Sequence, residues 1–105
     1  MTTIERTKPD FLIAPGEPGW DEARLAYNLL IDQRPSLIAV PADEADVVEI
    51  VRYAAENGLR VAPQRTGHNA GPLGDLSDAV LLKTDALDGV EIDAEARIAR
   101  VGSGA

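Results

Sequence analysis

The stretch "PADEADVVEIVRYAAENGLRVAP", residues 41–63, predicts the central unit of the fold. It opens with an N-cap signal, because Asp43 is followed three residues later by Asp46, and its helical part closes at Gly58. Between these ends, apolar residues recur at the spacing of one helical face, namely Val47, Ile50, Val51 and Ala54. We therefore predict an amphipathic helix whose apolar face packs in the core.

Short apolar runs on either side of this helix predict two buried strands. "RPSLIAVPA" (34–42) precedes the helix and "LRVAP" (59–63) follows it, which makes a βαβ unit with parallel strands and right-handed connection as the strong default. Three further runs predict strands, the last two joined through residues 94–96 as a hairpin: "AVLLK" (79–83), "GVEID" (89–93) and "IARVG" (98–102). The predicted fold class is α/β (α+β), with a small mixed sheet, a βαβ crossover and a C-terminal hairpin.

The N-terminal part divides into an arm and a first helix. Residues 1–19 are punctuated by prolines and glycines, so we expect an extended arm there and one domain over residues 20–105. A first helix is predicted from Asp21 to about Asp32, on the helical spacing of Ala23, Ala26, Tyr27 and Leu30. Trp20 and Tyr27 are expected to be core or subdomain-contact residues.

Composition excludes several classes of function. The chain has 105 residues, 45% of them apolar and 27% charged, which is typical of one small globular domain. The net charge of −8, without a cluster of Lys and Arg, disfavours nucleic acid and anionic membranes as partners. With no cysteine and one histidine, neither a disulfide framework nor a protein-only zinc centre is expected. No signal peptide or membrane-spanning stretch is evident, and we expect a cytoplasmic location.

The single histidine lies in "QRTGHNAGPLG", residues 64–74, directly after the second predicted strand. Ligands of open α/β sheets bind at the carboxyl ends of strands, and glycines let the backbone approach an anion closely. The segment is neither a Walker A loop nor a GxGxxG turn that opens a helix. Two readings stay open from the residues alone: an ordinary surface turn, or a cradle for a dinucleotide anion formed by Gln64, Arg65, Thr66, His68 and Asn69.

A resemblance favours the second reading. Residues 18–105 resemble the start of the flavin-binding domain of the vanillyl-alcohol oxidase / p-cresol methylhydroxylase superfamily, and most closely the bacterial berberine-bridge-enzyme-like oxidases. The features that carry it occur in order: Asn28, the pair Arg34-Pro35, Pro41 with Asp46 and Val47, "TGHN", "VLLKT" and the terminal "VGSGA". The resemblance implies an FAD-dependent oxidoreductase that transfers a hydride from an alcohol or amine-type substrate to flavin, with O₂ as the acceptor.

The resemblance also implies the site residues. Arg65, Thr66, Gly67, His68 and Asn69 would surround the FAD pyrophosphate, and His68 would be the covalent attachment site of the flavin or a non-covalent neighbour of its ring system. An arginine, a small residue and paired glycines usually precede this histidine in the family. Here Gln64, Arg65 and Thr66 stand in those places, so the loss of one glycine predicts a slightly different course for the loop.

The terminal "VGSGA" also has two readings, a simple turn or the start of a loop that passes close to the flavin through Gly102, Ser103 and Gly104.

Because family members continue well beyond this point, we expect the 105 residues to be the N-terminal piece of a longer enzyme and to be inactive alone. Its partners would be FAD and the remainder of the parent chain, with self-association of the piece through exposed surface. The alternative is a small stand-alone binding or regulatory domain without catalysis.

Four clustered carboxylates at the start of the second predicted helix could suggest a metal site. We expect them instead to cap the helix and to form its solvent-exposed face: Asp43, Glu44, Asp46 and Glu49.

Overall fold

A computed structural model describes residues 11–26, 29–67 and 70–105 of the chain. The elements, in chain order, are β1 (Leu12–Ile13), α1 (Trp20–Ala23), β2 (Leu37–Ala39), α2 (Glu44–Glu56), β3 (Arg60–Gln64), α3 (Ala70–Leu73), β4 (Ala79–Lys83), β5 (Val90–Asp93) and β6 (Ile98–Val101). The predicted α/β class, with a mixed sheet and a C-terminal hairpin, is confirmed. None of the helices within these described ranges is long and apolar enough to cross a membrane.

The main sheet has four strands in the order β1-β2-β4-β3. Strands β2 and β3 both run parallel to β4, which lies between them, so the predicted parallel βαβ crossover is confirmed. Strand β3 is at the edge of the sheet, where Pro63 is tolerated because its missing N–H leaves no inner ladder bond unmade. The hairpin strands β5 and β6 form a separate two-stranded sheet.

The core lies on both faces of this sheet, because the side chains of central β4 alternate between them. Val80 and Leu82 pack against Ile50 and Ala54 of α2 on one face. Leu81 packs on the other face in a cluster with Trp20, which is 9% exposed. The expectation that Trp20 is a core residue is confirmed, whereas Tyr27 lies outside the described residues.

Helix α2 has the ends that the sequence predicts. The Asp43 carboxylate accepts from the Asp46 N–H at 2.9 Å, and the Asp46 carboxylate accepts from the Ala42 N–H at 2.9 Å. At the other end, Gly58 has a φ of 66°, and the Leu59 N–H donates back to the Ala54 carbonyl at 2.9 Å in a Schellman pattern. These caps satisfy backbone groups that a helix end leaves without intrahelical partners.

The prediction that Val51 belongs to the buried face of α2 is wrong, since this side chain is 49% exposed and lies outside the core. Ile50 and Ala54 are fully buried, and Val47 is partly buried against the same cluster. The buried stripe is therefore narrower than the sequence pattern indicates, because the small sheet covers only part of the helix surface.

The prediction of a helix from Asp21 to about Asp32 is wrong. Helix α1 ends at Ala23, with Arg24 as its C-cap, and residues 25, 26 and 29–32 are not helical. The physical reason is tertiary contact: the Leu25 carbonyl accepts from two side chains of the main sheet, and Ala26 is buried against Gly67. These contacts outweigh the helical propensity of the segment.

Two further elements depart from the sequence prediction. The expected arm over residues 1–19 contains β1, which pairs antiparallel with β2, so residues 12 and 13 belong to the sheet; residues 1–10 lie outside the described part. The glycine-rich segment contains the four-residue helix α3 rather than only a turn.

Candidate functional site

The candidate site lies at the carboxyl ends of β3 and β4, which meet at one edge of the main sheet. Gln64, the last residue of β3, is in register with Lys83, the last residue of β4. The segment Arg65–Gly67 leaves β3 at this edge, and the Thr84 N–H donates to the Gln64 carbonyl at 3.0 Å. The predicted glycine-rich loop therefore starts at the carboxyl ends of two adjacent parallel strands, the arrangement in which α/β sheets bind ligands.

The structure brings the two predicted loops together through Arg65. Its Nε donates to the carbonyl oxygen of Gly104 at 2.8 Å, and its Nη1 pairs with the Asp85 carboxylate at 3.2 Å. The Thr84 hydroxyl donates to the Ser103 carbonyl oxygen at 3.4 Å. The C-terminal loop is thus held against the end of β4, and Arg65 has part of its charge neutralised by Asp85.

The glycines of the C-terminal loop are required by packing within the chain. A β-carbon at Gly104 would overlap the carbonyl oxygen of Thr84, and one at Gly102 would overlap that of Leu87. The N–H of Gly104 donates to that same Leu87 carbonyl at 2.9 Å. Close approach of backbone to backbone, rather than a left-handed φ, accounts for both glycines.

Gly67 is constrained in a different way. Its φ is 80°, a conformation that favours glycine, and a β-carbon there would lie 3.0 Å from the Ala26 Cα and 3.0 Å from the Gln64 Nε2. Both the backbone conformation and the space around it therefore select glycine at this point of the loop.

A second cation adjoins Arg65 at this edge. The Lys83 ammonium lies 3.5 Å from the Leu25 carbonyl, and partial burial lowers the pKa of Lys83, with Asp85 opposing and Arg65 reinforcing that shift. Two basic side chains thus converge at the sheet edge of a chain with a net charge of −8. This local positive charge, part of which Asp85 neutralises, suits an anionic group.

Beneath the loop lies a buried pair of amides. Gln33 and Gln64 are 4% and 5% exposed, and the Gln33 Nε2 donates to the Gln64 Oε1 at 2.8 Å. The Gln33 Oε1 is buried and has no hydrogen-bond partner within the described part of the chain. It is an acceptor that a bound donor could satisfy.

Of the predicted site residues, Arg65, Gly67, Ser103 and Gly104 are brought to one edge. Thr66 is exposed beside them, and Gly102 sits at the start of the C-terminal loop. His68 and Asn69 lie outside the described residues. Sequence reasoning missed the contribution of Gln33, Lys83, Thr84 and Asp85. Lys83 could have been predicted as a site residue, because it ends a strand that runs parallel to β3. Nothing in the sequence around Gln33 indicates that its side chain reaches the site.

A separate cleft of about 780 Å³ lies between the first turn of α2 and the hairpin. Gly102 and Ser103 line one side of it, and an ion pair at 2.7 Å between Arg100 and Glu44 crosses it. Its other charged lining groups are the carboxylates Asp43, Asp88 and Glu91. This acidic lining does not suit a phosphate, which distinguishes the cleft from the edge at β3 and β4.

The fold and this edge define a ligand-binding α/β domain with features suited to an anionic group at the carboxyl ends of parallel strands. The FAD binding domain family matches residues 35–105, and the chain therefore belongs to that family. The resemblance seen in the sequence is confirmed, and the cofactor of the family is FAD.

Similar proteins are FAD-linked oxidases. (R)-6-hydroxynicotine oxidase of Paenarthrobacter nicotinovorans is 32% identical over 89% of this chain and 20% of its own length. The crystal structure of 6-hydroxy-D-nicotine oxidase from Arthrobacter nicotinovorans has a TM-score of 0.76 with the same coverage. Wild-type BBE-like 1 of Physcomitrella patens, 30% identical, has a TM-score of 0.74 over 89% of this chain and 21% of that one.

A third solved relative concerns the linkage of the cofactor. Glucooligosaccharide oxidase of Acremonium strictum is 26% identical, with a TM-score of 0.75 over 90% of this chain and 20% of that one. That structure concerns the functional roles of the 6-S-cysteinyl, 8α-N1-histidyl FAD in that enzyme. The present chain spans about a fifth of the length of each of these relatives.

Proposed function

We propose that this chain supplies part of the FAD-binding region of a flavin-dependent oxidase, which takes a hydride from an alcohol or amine-type carbon and passes the electrons to O₂. The match of residues 35–105 to the FAD binding domain is the observation that carries the proposal. FAD supplies the hydride-accepting chemistry when bound, and the protein orients it. The chain spans only a fifth of its relatives, so the catalytic base and the substrate pocket are expected outside these residues.

The residues at the sheet edge fit a dinucleotide. Arg65 and Lys83 provide positive charge, Gly67 brings backbone close to the edge, and the buried Gln33 Oε1 offers an unused acceptor. We propose that Arg65, Thr66, Gly67, His68 and Asn69 surround the pyrophosphate, and that the loop of Gly102, Ser103 and Gly104 passes close to the flavin. Arg65 then has two roles, since it also holds Gly104 and Asp85.

We propose His68 as the covalent attachment residue of the flavin. A neutral imidazole nitrogen is a nucleophile near pH 7, so it is chemically suited to this bond. The chain has no other histidine and no cysteine. Cleavage by trypsin after Arg65 and Lys83 would release residues 66–83, a peptide that contains His68 as its only flavin-linking candidate.

Peptide mapping of the full-length protein tests this role. The wild type is expected to yield the 66–83 peptide with the mass of an attached flavin, and acid precipitation is expected to give a yellow pellet. In His68→Ala the pellet should be colourless while the far-ultraviolet circular dichroism is unchanged, because the sequence predicts this histidine outside the regular elements. An unmodified wild-type peptide, from protein shown to contain FAD, would reject the covalent role and leave the non-covalent one.

The assignment of oxidase activity to the whole protein has its own test. Full-length protein with bound FAD should be bleached by an alcohol or amine-type substrate without O₂ and should release H₂O₂ when O₂ is readmitted. The 105-residue chain with added FAD should show no turnover, since it spans only a fifth of its relatives. Turnover by the 105-residue chain would contradict the proposal that the catalytic base and the substrate pocket lie outside it.

We also propose that the 105-residue chain associates with itself through the hairpin. Val90, Ile92 and Val101 share one face of β5 and β6, and they are 56%, 75% and 58% exposed. A two-stranded ribbon with an uncovered apolar face is marginal alone and favours pairing. Sedimentation at micromolar concentration should show dimers or larger species, whereas a strict monomer over a wide range would exclude this. A cytoplasmic location stays a prediction.

A further inference from the structure

The buried amides Gln33 and Gln64 are separated by 31 residues in the chain and meet at one hydrogen bond of 2.8 Å. Together with Thr84 they are the buried polar residues of the described part of the chain. Burial of an amide is unfavourable unless its groups are paired, and here the Gln33 Oε1 has no partner within that part. Replacement of both partners by apolar groups of similar shape can be nearly neutral or stabilising, so stability alone does not account for the pair.

We propose that Gln33 and Gln64 form a positioning pair, which fixes the glycine-rich loop of the cofactor site from the segment that precedes β2. Gln64 is the last residue of β3, and the loop residues Arg65–Gly67 follow it directly. The pair therefore acts at the point where the loop leaves the sheet. The inference rests on the proposed function in one respect, namely that this loop binds FAD.

The contacts around the pair join three pieces of backbone. The Gln64 Nε2 lies 3.5 Å from the Leu25 carbonyl and 3.0 Å from the point where a β-carbon of Gly67 would stand. Ala26, next in the chain to Leu25, packs directly on Gly67. Removal of the Gln64 amide should therefore loosen the loop and the 25–26 segment together, because Gln64 contacts both and Ala26 packs on Gly67.

The segment that carries Gln33 is itself anchored. Arg24 pairs with Asp21 and Asp32, and its Nη1 lies 3.4 Å from the Gln33 carbonyl. The hydrogen bond and charge of Asp32 raise the pKa of Arg24, and Arg34 lowers the pKa of Asp32. Gln33 thus reaches Gln64 from a fixed backbone, which is what a positioning contact requires.

A double-mutant cycle in the chain without FAD tests whether the two amides act as a pair. Gln33→Met and Gln64→Met each leave a buried amide without its partner, and each should raise the unfolding equilibrium constant about tenfold or more. The variant with both substitutions replaces the pair by apolar groups, so it should be less destabilised than the product of the single effects by at least about threefold. If the unfolding equilibrium constant of the double variant agrees to within twofold with the product of the two single effects, the amides do not act as a pair and the proposal is overturned.

Hydrogen exchange separates positioning from a merely structural role. The Ala70 N–H donates to the Gly67 carbonyl at 3.1 Å and reports on the loop, while the amides of β4 report on the sheet. In Gln64→Met the Ala70 amide should exchange about tenfold faster relative to β4. Asp43→Ala, which removes the cap of α2, is the matched control and should leave that ratio unchanged. An unchanged ratio in Gln64→Met would overturn the positioning role.

FAD titration of the full-length protein links the pair to the cofactor. Gln64→Met should weaken FAD binding about tenfold in that protein, and Asp43→Ala should leave the affinity unchanged. Weaker affinity in Gln64→Met alone supports the proposal, and equal affinity in all three proteins contradicts it. If wild type binds no FAD while the coupling and the loop exchange behave as expected, the proposed function fails and the positioning role of the pair stands.

Discussion

Replacement of Gly67 by alanine tests the geometry of the candidate loop most sharply. The φ of 80° places the new residue in the left-handed region, at a cost of about 1–2 kcal/mol. The new methyl group would also stand 3.0 Å from the Ala26 Cα and 3.1 Å from its Cβ, and such overpacking costs about 1–3 kcal/mol. We therefore expect Gly67→Ala to lower the free energy of unfolding by about 2–5 kcal/mol.

Gly74 provides the control, because it has a φ of 68° and open space where a β-carbon would stand. Gly74→Ala should show the backbone cost alone, about 1–2 kcal/mol. Urea unfolding of the two variants and wild type, compared at equal m-value, gives the difference directly. If Gly67→Ala is no more destabilising than Gly74→Ala, the close contact with Ala26 is absent and the account of the loop is wrong.

Three further predictions concern the core, the surface and the cofactor edge. Ile50→Ala should cost about 2–5 kcal/mol in urea unfolding, and Val51→Ala should stay within about 0.5 kcal/mol; equal costs would contradict the orientation of α2. The hydrogen bond from Arg60 holds the pKa of Asp78 below its ordinary value, so Asp78→Asn should lower the urea midpoint at pH 7, and the difference should vanish as the pH falls through that lowered pKa. A pH-independent difference would exclude this pairing. Lys83→Gln should weaken FAD binding severalfold in the full-length protein and reduce its salt dependence; titrations at two salt concentrations check this, and an unchanged affinity would remove Lys83 from the site.

The parts of the fold that local patterns encode were predictable from the sequence. Helix α2 carries its own caps at Asp43 and Gly58, and the apolar run that forms β4 marks a strand buried on both faces. The hairpin of β5 and β6 follows from two short apolar runs around residues 94–97. Each of these signals lies within one short stretch of the chain, so no tertiary information is needed to interpret it.

The segment after α1 could not be predicted in the same way, because distant contacts decide its course. Ala26 fits a helical pattern, yet it packs on Gly67, which lies 41 residues further along the chain. Gln33 likewise meets Gln64 only because the sheet brings them together. A place in the candidate site could be predicted for Arg65 and the glycines from composition and resemblance. The supporting side chains could not be predicted, because they meet only through the strand register of the folded chain.

The flavin content of the full-length protein tests the central claim most directly. Protein purified under native conditions, reconstituted with excess FAD and freed of unbound cofactor should carry one FAD per chain, measured from the flavin absorbance against total protein. Released and protein-bound flavin are counted together, so the result does not depend on His68. A folded protein that retains no flavin after reconstitution would contradict the proposal that this chain supplies part of an FAD-binding region.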